Sequence, residues 1–468
     1  MAERDIIPYI NEDSDIGMEG CRFKAVHAKT IKADVAEGGL KEYIETKATK
    51  EELARVEGMI AVASAPNYFS RNTPFASLDR LSLRTPDILW LNINGKGHKT
   101  TTSTTLNVTA PMDWDTKAIL WQPAIAYKVG DYVYPDVSSK YIYKCITAGV
   151  SSTLTPVFPE EVGSTIIDGN AKWECCLNYC HADNRAGTDF FIYAIYSADS
   201  VEPSFALSVN STVPEGHTAE NTRKVGGFHC LCADVGTIEG HKLSDYVKGD
   251  VLPASVWDLK HRPQTDIGGM VYDEGTGIWT SIYLMTWTGT AADGDLKLYS
   301  KFGALAGDGT SAEKFHCFKW EQWLGNQNMR LPTYQEFVHL SLGSNQGTNV
   351  AGSKDVNTTG GFVDTAGRRM ISNIGAEDCC GNLYQWGAEM GSASTSGSWG
   401  AGTTSDDAQV GGQIYGVIYR PLLGGDAADG VDCGSRCCNV NHSGLYLYWF
   451  CGCRAVSEPA YPSRGITN

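Results

Sequence analysis

Fifteen cysteines are the residues most able to do chemistry in this sequence, and their spacing decides whether any could react or hold metal. Four residues separate Cys433 from Cys438, and the only cation near enough in sequence to depress a thiol pKa is Arg436. Cys379-Cys380, Cys437-Cys438, Cys451 and Cys453 lack both the CxxC pairing and the histidine spacing of structural zinc, so they read as small buried hydrophobes. His229 has no partner His or carboxylate at metal spacing, which favours a structural role. Asp426, Asp429 and Asp432 are the only close carboxylates in the tail that calcium would recruit. No Ser-His-Asp order, P-loop or GxGxxG is present. The expectation is a protein with no catalytic residues, no metal and no cofactor.

The elements that position these residues follow from composition. The 468 residues are 42% hydrophobic and 20% charged, enough for several cores, and 51 Gly with 22 Tyr point to short strands and tight turns. A net charge of −16 repels phosphate backbones and anionic lipid, which excludes nucleic-acid binding as the working reading. No apolar run is long enough to span a membrane, and the start MAERDIIPYINEDSD has no signal-peptide pattern. Synthesis in the cytosol with reduced thiols is therefore expected.

The expected fold class is mostly β, α+β and multidomain. Residues 1–66 form an N-terminal attachment region with a short helix: Thr49-Lys50-Glu51-Glu52 has capping-box order, with Leu53, Val56 and Ile60 at helical spacing. An oligomerisation stem and a plain connector are equally compatible with it. Residues 67–116 read as a β segment, and 117–178 as a small aromatic-rich β module. That module resembles sugar-binding modules appended to chitinases and phage tail proteins, but the favoured reading of Trp121, Tyr143 and Trp173 is as the core of so small a unit, which must spend its aromatics internally. Residues 179–245 read as a β-sandwich-like spacer. The final part, 246–468, carries two capped helices, one opening at Thr310-Ser-Ala-Glu313 and one at Thr333-Tyr-Gln-Glu336, followed by long Gly- and Asn-rich loops.

In that last part Arg330-Leu331-Pro332-Thr333 with Glu336-Phe337, then Gly381-Asn382-Leu383-Tyr384-Gln385-Trp386, Gly424-Gly425, and Gly452-Cys453-Arg454-Ala455 occur in order. They resemble the landmarks of formylglycine-generating enzymes and of retroelement-diversified C-type-lectin-fold proteins. The segment 423–456 is similar to the variable repeat of phage major tropism determinants. That resemblance implies a C-terminal C-type-lectin fold, a homotrimer and randomised receptor-contact positions at Asp426, Ala428, Asp429, Asp432, Asn439, Asn441, His442, Tyr446, Tyr448 and Phe450. Randomising the adenines of an AAC codon never yields Lys, Glu, Gln, Met or Trp, and all ten residues fall in the permitted set. Rigid aromatics mixed with Asn and Asp suit a binding face, and alternation would place Tyr446, Tyr448 and Phe450 on one side of an extended segment.

The implied function is a phage tail-fibre or tail-tip adhesin. It would bind a host cell-surface receptor, protein or glycan, and sit on the virion tail with other tail proteins after assembly in the host cytoplasm. The alternatives are a cellular diversified ligand-binding protein and, remotely, a formylglycine-generating-type oxidase. The catalytic pair of the latter family is missing, with Ala427 standing where the first cysteine belongs.

Overall fold

Alternation of apolar and polar residues makes Leu89–Ile93 a half-buried strand: Leu89, Leu91 and Ile93 point inward while Trp90 and Asn92 are half-exposed. The computed structural model describes residues 68–70, 75–197, 200, 202–352, 358–391, 399–400, 414–415 and 419–460. The helix expected within 1–66 lies outside them. Phe75, Leu91 and Trp114 share one hydrophobic core with Phe190, Leu207, Phe228 and Val251, so the segment before 116 and the one after 179 fold together. The main sheet of this body runs Ser204–Ser208, Asp189–Ile195, Thr222–His229, Trp257–Asp258. Its last strand extends past the boundary expected at 245. Glycine allows this pairing, because a Cβ on Gly227 would lie 2.6 Å from the Trp257 indole nitrogen.

Between the two halves of that body, residues 119–177 form a five-stranded sheet in the order Thr165–Asp168, Ala171–Leu177, Tyr141–Thr147, Tyr132–Tyr134, Ile119–Leu120. Trp121, Tyr143 and Trp173 are buried in its core. Both indole N–H groups donate to one oxygen of Asp168, at 2.8 and 3.1 Å. These three rings thus stabilise the module and are not available as sugar-stacking platforms.

The C-terminal part is loops on small sheets braced by two helices. Tyr334–Leu340 has the expected capping box: Thr333 Oγ1 accepts from the Glu336 N–H, and Glu336 accepts from the Thr333 N–H. The helix expected from Thr310 instead begins at Cys317 and runs to Gly325. Asp308 accepts from the N–H groups of Thr310 and Ser311, closing a turn there, and Lys314 has φ 49°, which ends any helix begun at 310. His316 takes over as cap, accepting from the Lys319 N–H through Nδ1. Cys317, Trp320 and Leu324 then form the buried stripe. The sheet that carries the tail runs Cys438–Asn439, Leu422–Leu423, Tyr384–Trp386, Cys451–Gly452.

Candidate functional site

The tail is held open at both ends by residues that have no freedom to vary in size. At its start Gly424 and Gly425 have φ of 90° and 83°, and a Cβ on Gly425 would come within 2.7 Å of the Cys433 sulfur. At its end Arg454 is fully buried, donating to the carbonyls of Ser281, Ile282 and Glu377 and to Oε1 of Gln385 at 2.9 Å. In between, the Arg420 N–H donates to the His442 carbonyl at 3.1 Å, while the Arg420 guanidinium pairs with Glu321 and lies 5.2 Å over the Phe318 ring. Gly444 packs directly on that ring. The segment 439–450 therefore rises from a rigid base.

On that base the rings of four expected contact residues come together. His442 stacks on Tyr446 at 4.3 Å, Tyr446 on Tyr448 at 5.5 Å with planes 5° apart, and Tyr448 contacts Phe450 at 4.4 Å. Residues 446–448 belong to no helix or strand and lie between turns at 444–445 and 449–450, so the rings gather without a sheet partner. Tyr448 is 41% exposed, which argues against a strand whose core face is formed by Tyr446, Tyr448 and Phe450. Tyr446 and Phe450 are half-buried.

The polar positions separate into two kinds. Ala428, Asp432 and Asn441 are exposed, while Asp429 and Asn439 are half-buried. Both of the latter interact with the hydroxyl of Tyr384, whose ring also packs on Phe450 at 6.0 Å. Burial, and then the Asp429 carboxylate, hold the Tyr384 phenol well above its ordinary pKa. Asp426 departs from the expected exposed position. It is only 5% exposed, because its carboxylate is turned inward to accept from the Ala428 N–H at 2.7 Å.

Several members of the face were not singled out from sequence. Tyr384 lies within the Gly381–Trp386 landmark, but nothing in that run shows that its hydroxyl reaches Asp429. Val440 and Met390, exposed at 63% and 62%, line an open groove of about 350 Å³ with Tyr334, Glu389, Tyr419 and Pro421. They add apolar surface outside the ten expected contact positions. Cys438 is exposed, contrary to the reading of the tail cysteines as buried hydrophobes, because strand alternation turns Cys438 and Val440 outward around Asn439. Cys379, Cys380, Cys451 and Cys453 are fully buried. Burial pushes the Cys433 thiol up to about 12, with Asp429 adding to the effect, so the thiolate needed for nucleophilic chemistry is disfavoured. Far from this face, His229 bridges Asp189 at 2.8 Å and the Tyr283 hydroxyl at 3.0 Å, a structural role that ties the spacer sheet to the C-terminal part. Among the described residues no three His, Cys, Asp or Glu side chains converge as metal ligands.

Residues 179–258 match the family described as the Mtd second domain. The tail fiber receptor-binding protein of Bordetella phage BPP-1 is 30% identical over 293 residues, spanning 58% of this chain and 71% of that protein. The chain belongs to the major tropism determinant family. Solved structures of the P3c and I1 variants of the major tropism determinant superpose on it with TM-scores of 0.56 and 0.55 at 20% identity. Each alignment covers 84% of this chain and 85% of the other. The fold is the family's C-type-lectin-like one, mostly β with few helices, as the four landmarks implied.

Proposed function

We propose that this family member is a phage tail-fibre or tail-tip receptor-binding adhesin whose C-terminal face binds a host cell-surface receptor, protein or glycan. The observation that carries this reading is the ring cluster His442, Tyr446, Tyr448 and Phe450 on a rigid base, flanked by exposed or half-exposed Ala428, Asp429, Asp432, Asn439 and Asn441. Clustered aromatics with adaptable polar neighbours are what a recognition surface needs, and a catalytic site does not. The protein acts on the virion tail, after assembly with other tail proteins in the host cytoplasm, and has no enzymatic step. A homotrimer would present three faces and multiply a weak affinity by avidity. All ten positions are diversified; Asp426 supports the face from beneath and the other nine supply its contacts.

Binding of the purified full-length protein to intact cells across a panel of bacterial strains tests this. Tyr448→Ala is expected to abolish binding to any strain the parent recognises, with the melting temperature shifted by no more than about 2 °C. Phe450→Ala should also abolish binding, but at a cost of about 1–2 kcal/mol, since its ring packs on Tyr384 and Tyr446. Unchanged binding by both variants would remove the ring cluster from the receptor site.

A further inference from the structure

Asp426 and Asp429 bond to each other in both directions, whereas Asn439 and Asn441 share a single bond, from the Asn441 N–H to Oδ1 of Asn439 at 3.0 Å. The Asp426 N–H donates to Oδ2 of Asp429 at 3.0 Å, and Oδ1 of Asp426 accepts from the Ala428 N–H at 2.7 Å. The Asp429 N–H donates back to the Asp426 carbonyl at 3.3 Å, an oxygen that also accepts from the Cys433 thiol at 3.3 Å. The Asp432 N–H then donates to the Asp429 carbonyl at 3.2 Å, at the end of the single helical turn Gly430–Asp432. Backbone pairing of Asp426 with Asn382 anchors the start of the loop to the fixed scaffold. The tip of the loop carries its accessible side chains: Ala428, Val431 at 84% exposure, and Asp432. A side chain as enclosed as that of Asp426 offers a receptor almost nothing directly, yet it and Asp429 close the loop reciprocally.

We propose that Asp426 and Asp429 are a coupled shape-setting pair for the loop 426–433, so that exchange at either position changes specificity by re-presenting Ala428, Val431 and Asp432. The specificity clause rests on the receptor-binding reading above; the coupling itself does not. Asp, Asn, Ser and Thr, short side chains with an acceptor oxygen, can make these local bonds. Among the residues an adenine-randomised AAC codon yields, those four keep the loop closed and the apolar and aromatic ones release it. The two codons are therefore expected to covary in sequence populations, acceptor with acceptor and non-acceptor with non-acceptor.

Hydrogen–deuterium exchange of the full-length chain, followed in peptides covering 424–434, tests the pair without needing a receptor. Asp426→Ala and Asp429→Ala should each speed exchange of the same loop amides by about tenfold, the scale of one lost charge-assisted hydrogen bond. The double variant should add little to either, and Asp426→Asn with Asp429→Asn should stay within about twofold of the parent. Asp432→Ala serves as the control that leaves the loop protected. Additive effects in the double variant, or protection equally lost with the Asn variants, would overturn the coupling. Coupled exchange together with no binding of the parent protein to any strain of the panel would instead leave the pair standing and remove the receptor reading.

Discussion

Asp378 is the least comfortable residue in the C-terminal scaffold. It is fully buried with φ 56°, one oxygen accepts from the Gly360 N–H at 2.6 Å, and the other has no partner among the described residues. Burial, and then the adjacent Glu377, raise its carboxyl to about 7, whereas in an unfolded chain it would titrate near about 4. Between those values the native state binds the extra proton, so stability falls as pH rises through that window. Asp378→Asn keeps the acceptor and tolerates the left-handed backbone. It is expected to be more stable than the parent at pH 8, with the advantage shrinking toward pH 4, in urea unfolding followed across pH. A pH-independent difference would mean the carboxyl titrates alike in the folded and unfolded chain. The same scale shows what one-dimensional reading captures. The aromatic character of 442–450 is visible in residue types, but the burial of Asp426 is not, because it depends on which way one short side chain turns within a loop.

At the scale of elements, local chemistry was legible where it was self-contained. Thr333 and Glu336 cap a helix through bonds three residues apart, and the structure has that helix. Thr310 and Glu313 carry the same spacing, but Asp308 takes the Thr310 N–H that Glu313 would have accepted from, and the Thr310 hydroxyl as well, and the helix starts instead at His316 and Cys317. Arg454 illustrates the opposite case, a landmark recognisable in sequence whose physical role appears only in three dimensions. It locks the end of the tail to Gln385 on the neighbouring strand and to carbonyls at 281, 282 and 377. Arg454→Met should cost about 3 kcal/mol or more by leaving those acceptors buried and unpaired. Arg454→Lys should recover little of it, because an ammonium cannot reproduce the planar fork. A shift of the urea midpoint smaller than that from Tyr448→Ala would refute this role.

Taken as a whole molecule, the chain separates support from recognition. The spacer sheet shares a core with the segment before it, the inserted five-stranded module spends its aromatics internally, and the Asp189, His229 and Tyr283 contacts join the spacer to the C-terminal part. Order along the chain was readable because punctuation by Gly and Pro marks strand ends. The shared core was not, since Phe75 and Trp114 meet Phe190 and Phe228 across the inserted module. The central claim is that this scaffold presents a diversified receptor-binding tail. Deep sequencing of codons 423–456 from a population grown from one clone, with the codons around Arg330 as an internal control, tests it most directly. The account predicts substitutions confined to the codons of Asp426, Ala428, Asp429, Asp432, Asn439, Asn441, His442, Tyr446, Tyr448 and Phe450, with Gly424, Gly425 and Arg454 constant. Substitutions scattered evenly over the tail and the Arg330 region, or an invariant tail in a population that has changed host range, would contradict it.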